Sequence, residues 1–222
     1  MSRHLVRINA PKTWKIPKKR FTFITKPRGS HAAKMGLPLL VVLRDILRYV
    51  RNSREAKKLL NSEDILVDGN KTKDIKRGVG LFDILSIPRI KENYRIYTNK
   101  QGKIDLQRTP QAGIKPCKII GKTLVNGKVQ LNLYDGNNIL ADNSYKVGDT
   151  IVLEIPTKRI INHFKLEKDS VVYITGGKHL GYTGQVESVS GNKVICKSED
   201  ELLIIPKRYA FILGKNNSII NI

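Results

Sequence analysis

Leu37-Pro38-Leu39-Leu40-Val41-Val42-Leu43-Arg44-Asp45-Ile46-Leu47-Arg48-Tyr49-Val50 opens the stretch, running on to Ile87, that decides the fold. Leu39, Leu40, Val42, Leu43, Ile46, Leu47 and Val50 recur at i, i+3, i+4 and i+7, the spacing of one apolar helix face. Pro38 suits the first turn, where a missing N–H costs little. Arg44, Arg48 and Arg51 fall four and three apart, which predicts one cationic stripe on the opposite face. Ser53 is the expected N-cap of a second helix over 54–60, with Glu55 near its positive end. Ile65-Leu66-Val67 then runs into Asp68-Gly69, the dipeptide that favours two-residue hairpins. Lys71, Lys73, Lys76 and Arg77 precede the apolar run from Leu81 to Ile87. The reading is two short helices on a small sheet, with one cationic face.

That order resembles the S-four RNA-binding domain found in ribosomal proteins and RNA-modifying enzymes. The resemblance is carried by Leu43-Arg44-Asp45, by Arg54-Glu55-Ala56-Lys57-Lys58-Leu59-Leu60, by Val67-Asp68-Gly69, and by the run from Gly80 to Ile87. It implies that Arg44, Arg48, Arg51, Arg54, Lys57, Lys58, Lys71 and Lys73 face RNA. Contact is expected with phosphates more than with bases, because point charges outside a groove carry little sequence information.

Charge supports the same partner class. Forty-one Lys and Arg against nineteen Asp and Glu give +22 over 222 residues. Residues 1–36 hold ten cations and no acid, while 166–222 hold seven cations against six acids. Such a field attracts polyanions and repels itself unless a partner neutralises it. Lipid-anchor motifs and apolar runs of membrane-spanning length are missing, so a membrane is not the expected partner. Cys117 and Cys196 stand far apart, and His4, His31, His163 and His179 are scattered. Neither a zinc site nor a disulfide framework is expected, and a reducing compartment fits. No apolar run follows Arg3 and Arg7, so no secretory signal is expected.

Residues 1–36 read as a basic extended arm. Pro11, Pro17 and Pro27 interrupt any helix, and no periodicity persists. Arg3, Arg7, Lys12, Lys15, Lys18, Lys19, Arg20, Lys26 and Arg28 supply phosphate contacts in this reading, with Trp14, Phe21, Phe23 and His31 as rings that stack or fill crevices. The arm cannot bury much surface by itself and is expected to be disordered until RNA orders it.

After a weakly patterned link from Pro88 to Gly113, the text turns to β-structure. Val129, Leu131 and Leu133 alternate with polar residues, Asp135-Gly136 turns the chain, and Thr150 to Ile155 forms another run. These predict a small β-barrel over 89–165. A second group of short strands over 166–222 contains Gly177, Lys178, His179, Gly181 and Gly184 before Val186, which resembles the KOW motif of ribosomal and elongation proteins. Glycines permit positive φ and close backbone approach to phosphates. Gly177, Lys178, His179 and Gly181 are therefore further candidate RNA contacts.

Enzymatic fingerprints fail. Gly176 to Gly184 matches no dinucleotide or P-loop pattern, and no nucleophile elbow exists. Asp135 and Asp142 read as turn formers. The enzyme rival, an S-four-bearing RNA-modifying enzyme, needs a large α/β domain that 135 residues of short strands after Ile87 do not supply. The other rival is a KOW-type translation or transcription factor.

Over nearly its whole length the chain resembles the archaeal and eukaryotic family of small-subunit ribosomal protein four. Ala10-Pro11-Lys12-Thr13-Trp14, Gln130-Leu131-Asn132-Leu133, Tyr145-Lys146-Val147-Gly148-Asp149-Thr150 and Thr175-Gly176-Gly177-Lys178-His179 carry the match beyond the S-four stretch. The resemblance implies an α+β multidomain chain. It has a basic arm (1–36), an S-four-like α/β RNA-binding domain (37–88), a small β-barrel (89–165) and an SH3-like KOW barrel (166–222). It also implies a structural role on small-subunit ribosomal RNA beside neighbouring small-subunit proteins, in the cytoplasm, with no cofactor, metal, small-molecule substrate or catalysis.

Overall fold

A computed structural model of the chain describes residues 4–19, 21–29, 31–62, 65–198 and 201–220. The chain forms two compact units, the first from 1–97 and 103–112, the second from 98–102 and 113–222.

In the first unit, β1 (Leu5–Val6) pairs antiparallel with β2 (Phe23–Ile24). β3 (Gly36–Pro38) leads into α1 (Leu39–Val41), and α2 is Ser53–Asn61. Then follow β4 (Leu66–Val67), β5 (Asn70–Lys71), β6 (Gly78–Gly80), β7 (Ile84–Ile87), β8 (Glu92–Thr98) and β9 (Ile104–Arg108). β3 pairs with β6, while the main sheet runs β5-β4-β7-β8-β9. The stretch read as a link thus adds two strands to that sheet. Asp68 and Gly69, both at positive φ, make the tight turn between β4 and β5 that their dipeptide favours.

The first helix departs from its pattern. α1 passes directly into π-helical turns over Val42–Ile46, and the helix closes at Leu47. The Leu47 N–H reaches five residues back to the Val42 carbonyl, at 2.9 Å. Leu39 to Leu43 are all buried, so the segment is enclosed by the core and shows no polar face there. Arg48 stands beyond the helix at positive φ. Arg44, Arg48 and Arg51 therefore share no helix face, because π turns shift the register that a 3.6-residue period assumes. In α2 the cap is Asn52 rather than Ser53: its side chain accepts the Glu55 N–H at 2.9 Å, and Glu55 accepts the Arg51 N–H at 2.7 Å. The cap thus sits one residue earlier than expected, and Glu55 reaches back to the N–H that precedes it.

The arm is also not what its composition suggested. Ala10, Trp14 and Ile24 belong to the first unit's core beside Leu37, Leu39 and Val67. Trp14 is among the largest fully buried side chains; its ring N–H donates to the Ala33 carbonyl at 2.8 Å. The Ile104 N–H bonds the Thr13 carbonyl, which ties the arm to β9. Arg7 is wholly buried, donating from Nε to the Pro17 carbonyl at 2.7 Å and pairing with Asp45 at 3.1 Å. Prolines do exclude helix here, yet an irregular segment buries a large ring when its backbone groups find tertiary partners.

The second unit is antiparallel. β10 (Ile114–Val125), β11 (Lys128–Leu133), β12 (Asn138–Ala141), β13 (Thr150–Glu154) and β14 (Ile160–Phe164) form a sheet ordered β12-β11-β10-β13-β14. A bulge between Ile119 and Gly121 lets β10 pair with β13 through its first half and with β11 through its second. β15 (Ser170–Ile174), β16 (Thr183–Ser190), β17 (Lys193–Ser198), β18 (Glu201–Pro206) and β19 (Ala210–Lys215) follow, ordered β18-β17-β16-β15-β19. Leu131 and Leu133 point into one core with Cys117, Ile119 and Ile151, as their alternation predicts. Val172, Val186, Cys196 and Ile212 form part of another.

Two lysines are internal to this unit. Lys118 donates to the carbonyls of Ala210 (2.5 Å), Arg208 (2.9 Å) and Lys207 (3.3 Å), so its ammonium ties β10 to the turn before β19. Burial, with a smaller push from the Lys207 charge, pulls its pKa down to about 8. Lys115 pairs with Asp135 at 2.9 Å, both side chains buried. Burial alone would raise the Asp135 pKa, but the Lys115 charge and the bonds from Asn137 outweigh it and hold the carboxyl below its usual value.

Trp14→Ala should cost the first unit about 3–5 kcal/mol, the range for emptying a buried aromatic site. Denaturant unfolding reads this directly, and a loss below about 1 kcal/mol would mean that the arm is not part of the core. Asp135→Asn should cost the second unit about 3–5 kcal/mol at neutral pH by removing the carboxylate that faces the buried Lys115 ammonium. A lowered folded pKa contributes stability above the unfolded carboxylate value of about 3.9, and that contribution is lost as pH falls through the folded value. The gap between wild type and variant should therefore narrow below roughly pH 4. A gap that stays constant from pH 7 to pH 3 would contradict the buried pair.

Candidate nucleic-acid interface

The exposed cations of the first unit collect on α2 and beside β6. In α2, Ala56 and Leu60 are buried at i and i+4, which turns Arg54, Lys57 and Lys58 outward at mutual spacings of three, four and one. Glu55 is the acid of this helix, and its carboxylate is engaged by the N-terminal cap. Arg54, Lys57 and Lys58 form no ion pair among the described residues. Arg48, Arg51, Lys71 and Lys73 are exposed as well.

A second collection is made by tertiary pairing. The Arg28 N–H donates to the Lys76 carbonyl at 2.7 Å, and the Gly78 N–H to the Arg28 carbonyl at 2.6 Å. This bridge sets Lys26 and Arg28 of the arm beside Lys76, with Arg44 close by, around an open groove of about 490 Å3. His4 and Phe23 line it too, and among the described residues no Asp or Glu does. Phe23 is one of the rings expected to stack, whereas Lys76 and His4 were not among the expected contacts. Nothing local marks them, because residues nearly fifty positions apart meet only through the fold.

Other expected contacts are engaged within the protein. Arg7 and Trp14 are interior, as described, so neither is presented to RNA in this conformation. His31 is largely covered, its Nε2 2.9 Å from an Asp83 oxygen that also accepts the Gly80 N–H. A Cβ at Gly80 would overlap the His31 ring, which accounts for the glycine. Lys15 is 58% exposed but pairs with Asp105 at 2.5 Å, and that bond raises its pKa. Lys18 donates to the carbonyls of Ile8 and Ala10, and Arg44 folds onto Asp45 at 2.8 Å. Lys12, Lys19, Lys26 and Arg28 remain exposed. Arg3 and Arg20 lie outside the described residues.

In the second unit the glycine-rich loop joins β15 to β16. Gly177 and Gly181 both have positive φ, as the glycine pattern suggested. Their use is in part internal: the Gly181 N–H donates to the Ile174 carbonyl, and a Cβ there would collide with the backbone of Thr98 and Asn99. Lys178 is exposed, and the His179 ring meets Tyr182 edge-on at 6.0 Å. Lys100 lies 5.1 Å over the Tyr182 ring and Arg208 lies 4.7 Å over Tyr209. Lys100 and Arg208 escaped the sequence reading; Lys100 meets Tyr182 only through the fold, which leaves no local signature. Among the described residues no group of three or more His, Cys, Asp or Glu is placed to hold a metal ion. No helix of the described residues is long and apolar enough to cross a membrane.

Known families and proteins match this chain over nearly its whole length. The family "Ribosomal family S4e" matches residues 90–160, "RS4NT (NUC023) domain" matches residues 1–34, and "KOW motif" matches residues 168–197. The chain is 41% identical to "Small ribosomal subunit protein eS4" of Archaeoglobus fulgidus, covering 97% of this chain and 94% of that one. It is 38% identical to the protein of the same name in Methanothermobacter thermautotrophicus, covering 99% and 96%. The crystal structure of 30S ribosomal protein S4e from Thermoplasma acidophilum superposes with a TM-score of 0.69 at 29% identity, covering 82% of this chain and 95% of that one. A strand-rich chain with a KOW segment, matched end to end by such relatives, belongs to the S4e family of ribosomal proteins.

Proposed function

We propose that the chain is a structural constituent of the small ribosomal subunit, where it binds ribosomal RNA and stabilises its folded form. The observation that carries this is the outward face of α2, where Arg54, Lys57 and Lys58 have no carboxylate partner among the described residues. In the finer layout, the stretch 37–88 is the S-four-like domain, extended by β8 and β9, and the two five-stranded sheets of the second unit are the small barrel and the KOW-type barrel. The role is architectural, without catalysis, beside neighbouring small-subunit proteins and in the cytoplasm. Arg48, Arg51, Lys71 and Lys73 add to the α2 surface, Lys12, Lys19, Lys26 and Arg28 to the arm surface, and Lys178 with His179 to the KOW loop. Each phosphate that a cation neutralises releases condensed counterions, so affinity falls steeply with salt.

Changing Arg54, Lys57 and Lys58 together to Gln should weaken binding to small-subunit ribosomal RNA regardless of sequence. The log–log salt slope should fall by roughly 0.7–0.9 per lost contact. Stability should move by no more than about 0.5 kcal/mol per exposed site. An unchanged slope in filter-binding titrations from low to moderate salt would remove α2 from the interface.

The KOW loop separates into a structural and a binding position. Gly181→Val should unfold the second unit, since both its φ and its space admit only glycine. Lys178→Gln should leave the melting temperature unchanged and lower RNA affinity. Full affinity in the lysine variant would confine RNA contact to the first unit.

A further inference from the structure

The groove around Arg28 and Lys76 contains aromatic surface as well as charge. Phe23 is 57% exposed, and its ring centroid lies 5.7 Å from that of His4 at a tilt of 55°. The ring is not on a loose tail. Phe23 pairs with Val6 and the next residue, Ile24, pairs with Leu5 and is buried, so the strand holds Phe23 in place. A volume of about 490 Å3 falls in the roughly 300–1,000 Å3 range of pockets that enclose a small ligand. Duplex phosphates need cations on an open surface and have no use for an aromatic wall. A nucleotide released from its stack needs both, a ring for the base and cations for the phosphate.

We propose that this groove takes one unpaired nucleotide of the bound RNA, with its base against Phe23 and His4 and its phosphate against Arg28 and Lys76. The inference rests on the RNA-binding role above and adds the kind of RNA preferred, a strand with a bulged or looped-out residue. Lys26, exposed at the same groove, neutralises a neighbouring phosphate. Base–aromatic stacking tolerates any base, so the site discriminates unpaired from paired more than one base from another.

The test uses the full-length protein and two RNA hairpins that differ only in whether a 2-aminopurine nucleotide is bulged or paired. Wild type should bind the bulged hairpin roughly tenfold more tightly and quench the 2-aminopurine fluorescence. Phe23→Ala should lower bulged-hairpin affinity to that of the paired one and abolish the quenching. Its paired-hairpin affinity and melting temperature should stay as in wild type, and Phe23→Tyr should restore the preference. Equal affinity of wild type for the two hairpins, or a preference retained in Phe23→Ala, would overturn the nucleotide site while leaving RNA binding intact. Salt-insensitive, weak binding of wild type to both hairpins would overturn the RNA-binding role itself, and this site with it.

Discussion

Charge is the constraint on which this structure depends: +22 on 222 residues has to coexist with two compact units. Self-repulsion of that size opposes folding. The chain answers by taking several cations inside and giving them partners. Arg7 meets Asp45, Lys115 meets Asp135, and Lys118 is held by three backbone carbonyls. Unpaired, such buried charges would be strongly destabilising; paired and hydrogen-bonded, they join distant parts of each unit. The Arg7–Asp45 pair links the arm to the first helix, and Lys118 links β10 to the approach to β19.

This use of acids has a consequence for the surface. The chain has only nineteen carboxylate side chains, and Asp45, Asp83, Asp135 and Asp149 face partners within the protein. Glu55 caps a helix and Glu92 accepts hydrogen bonds from Tyr49 and Tyr94. Among the described residues, exposed cations on α2 and at the Arg28–Lys76 groove are thereby left with few local counter-charges. Fold stability and RNA affinity draw on the same small supply of acids, in opposite directions. A ribosomal protein can tolerate that imbalance because polyanionic RNA supplies the missing countercharge.

The legible parts of the fold were those set by local chemistry. Asp68-Gly69 dictated its hairpin, Val129-Leu131-Leu133 its strand face, and Ala56 with Leu60 the buried side of α2. The first helix misled because five consecutive buried residues satisfy a helical pattern and several others equally well, and π turns then changed the period. Tyr94-Arg95-Ile96-Tyr97 shows the same limit. It lies in the stretch read as a link yet forms part of β8, where Arg95 is buried and donates to the Gln111 carbonyl at 2.8 Å, against the rule that charges point outward. For the site, composition identified the partner class while misplacing individual residues. Trp14 and Arg7 looked like contacts because charge and aromaticity say nothing about tertiary burial, whereas Lys76 and Lys100 acquire their places only from pairing across the chain.

The division of cations between interior and RNA-facing surface is the central claim, and lysine acylation footprinting of the free protein and of the assembled small subunit tests it most directly. Lys57, Lys58, Lys76 and Lys178 should react readily in the free protein and become protected in the subunit. Lys115 and Lys118 should stay unreactive in both. Equal reactivity of Lys57, Lys58 and Lys76 in the two states, or rapid acylation of Lys115 and Lys118 in the free protein, would contradict the account.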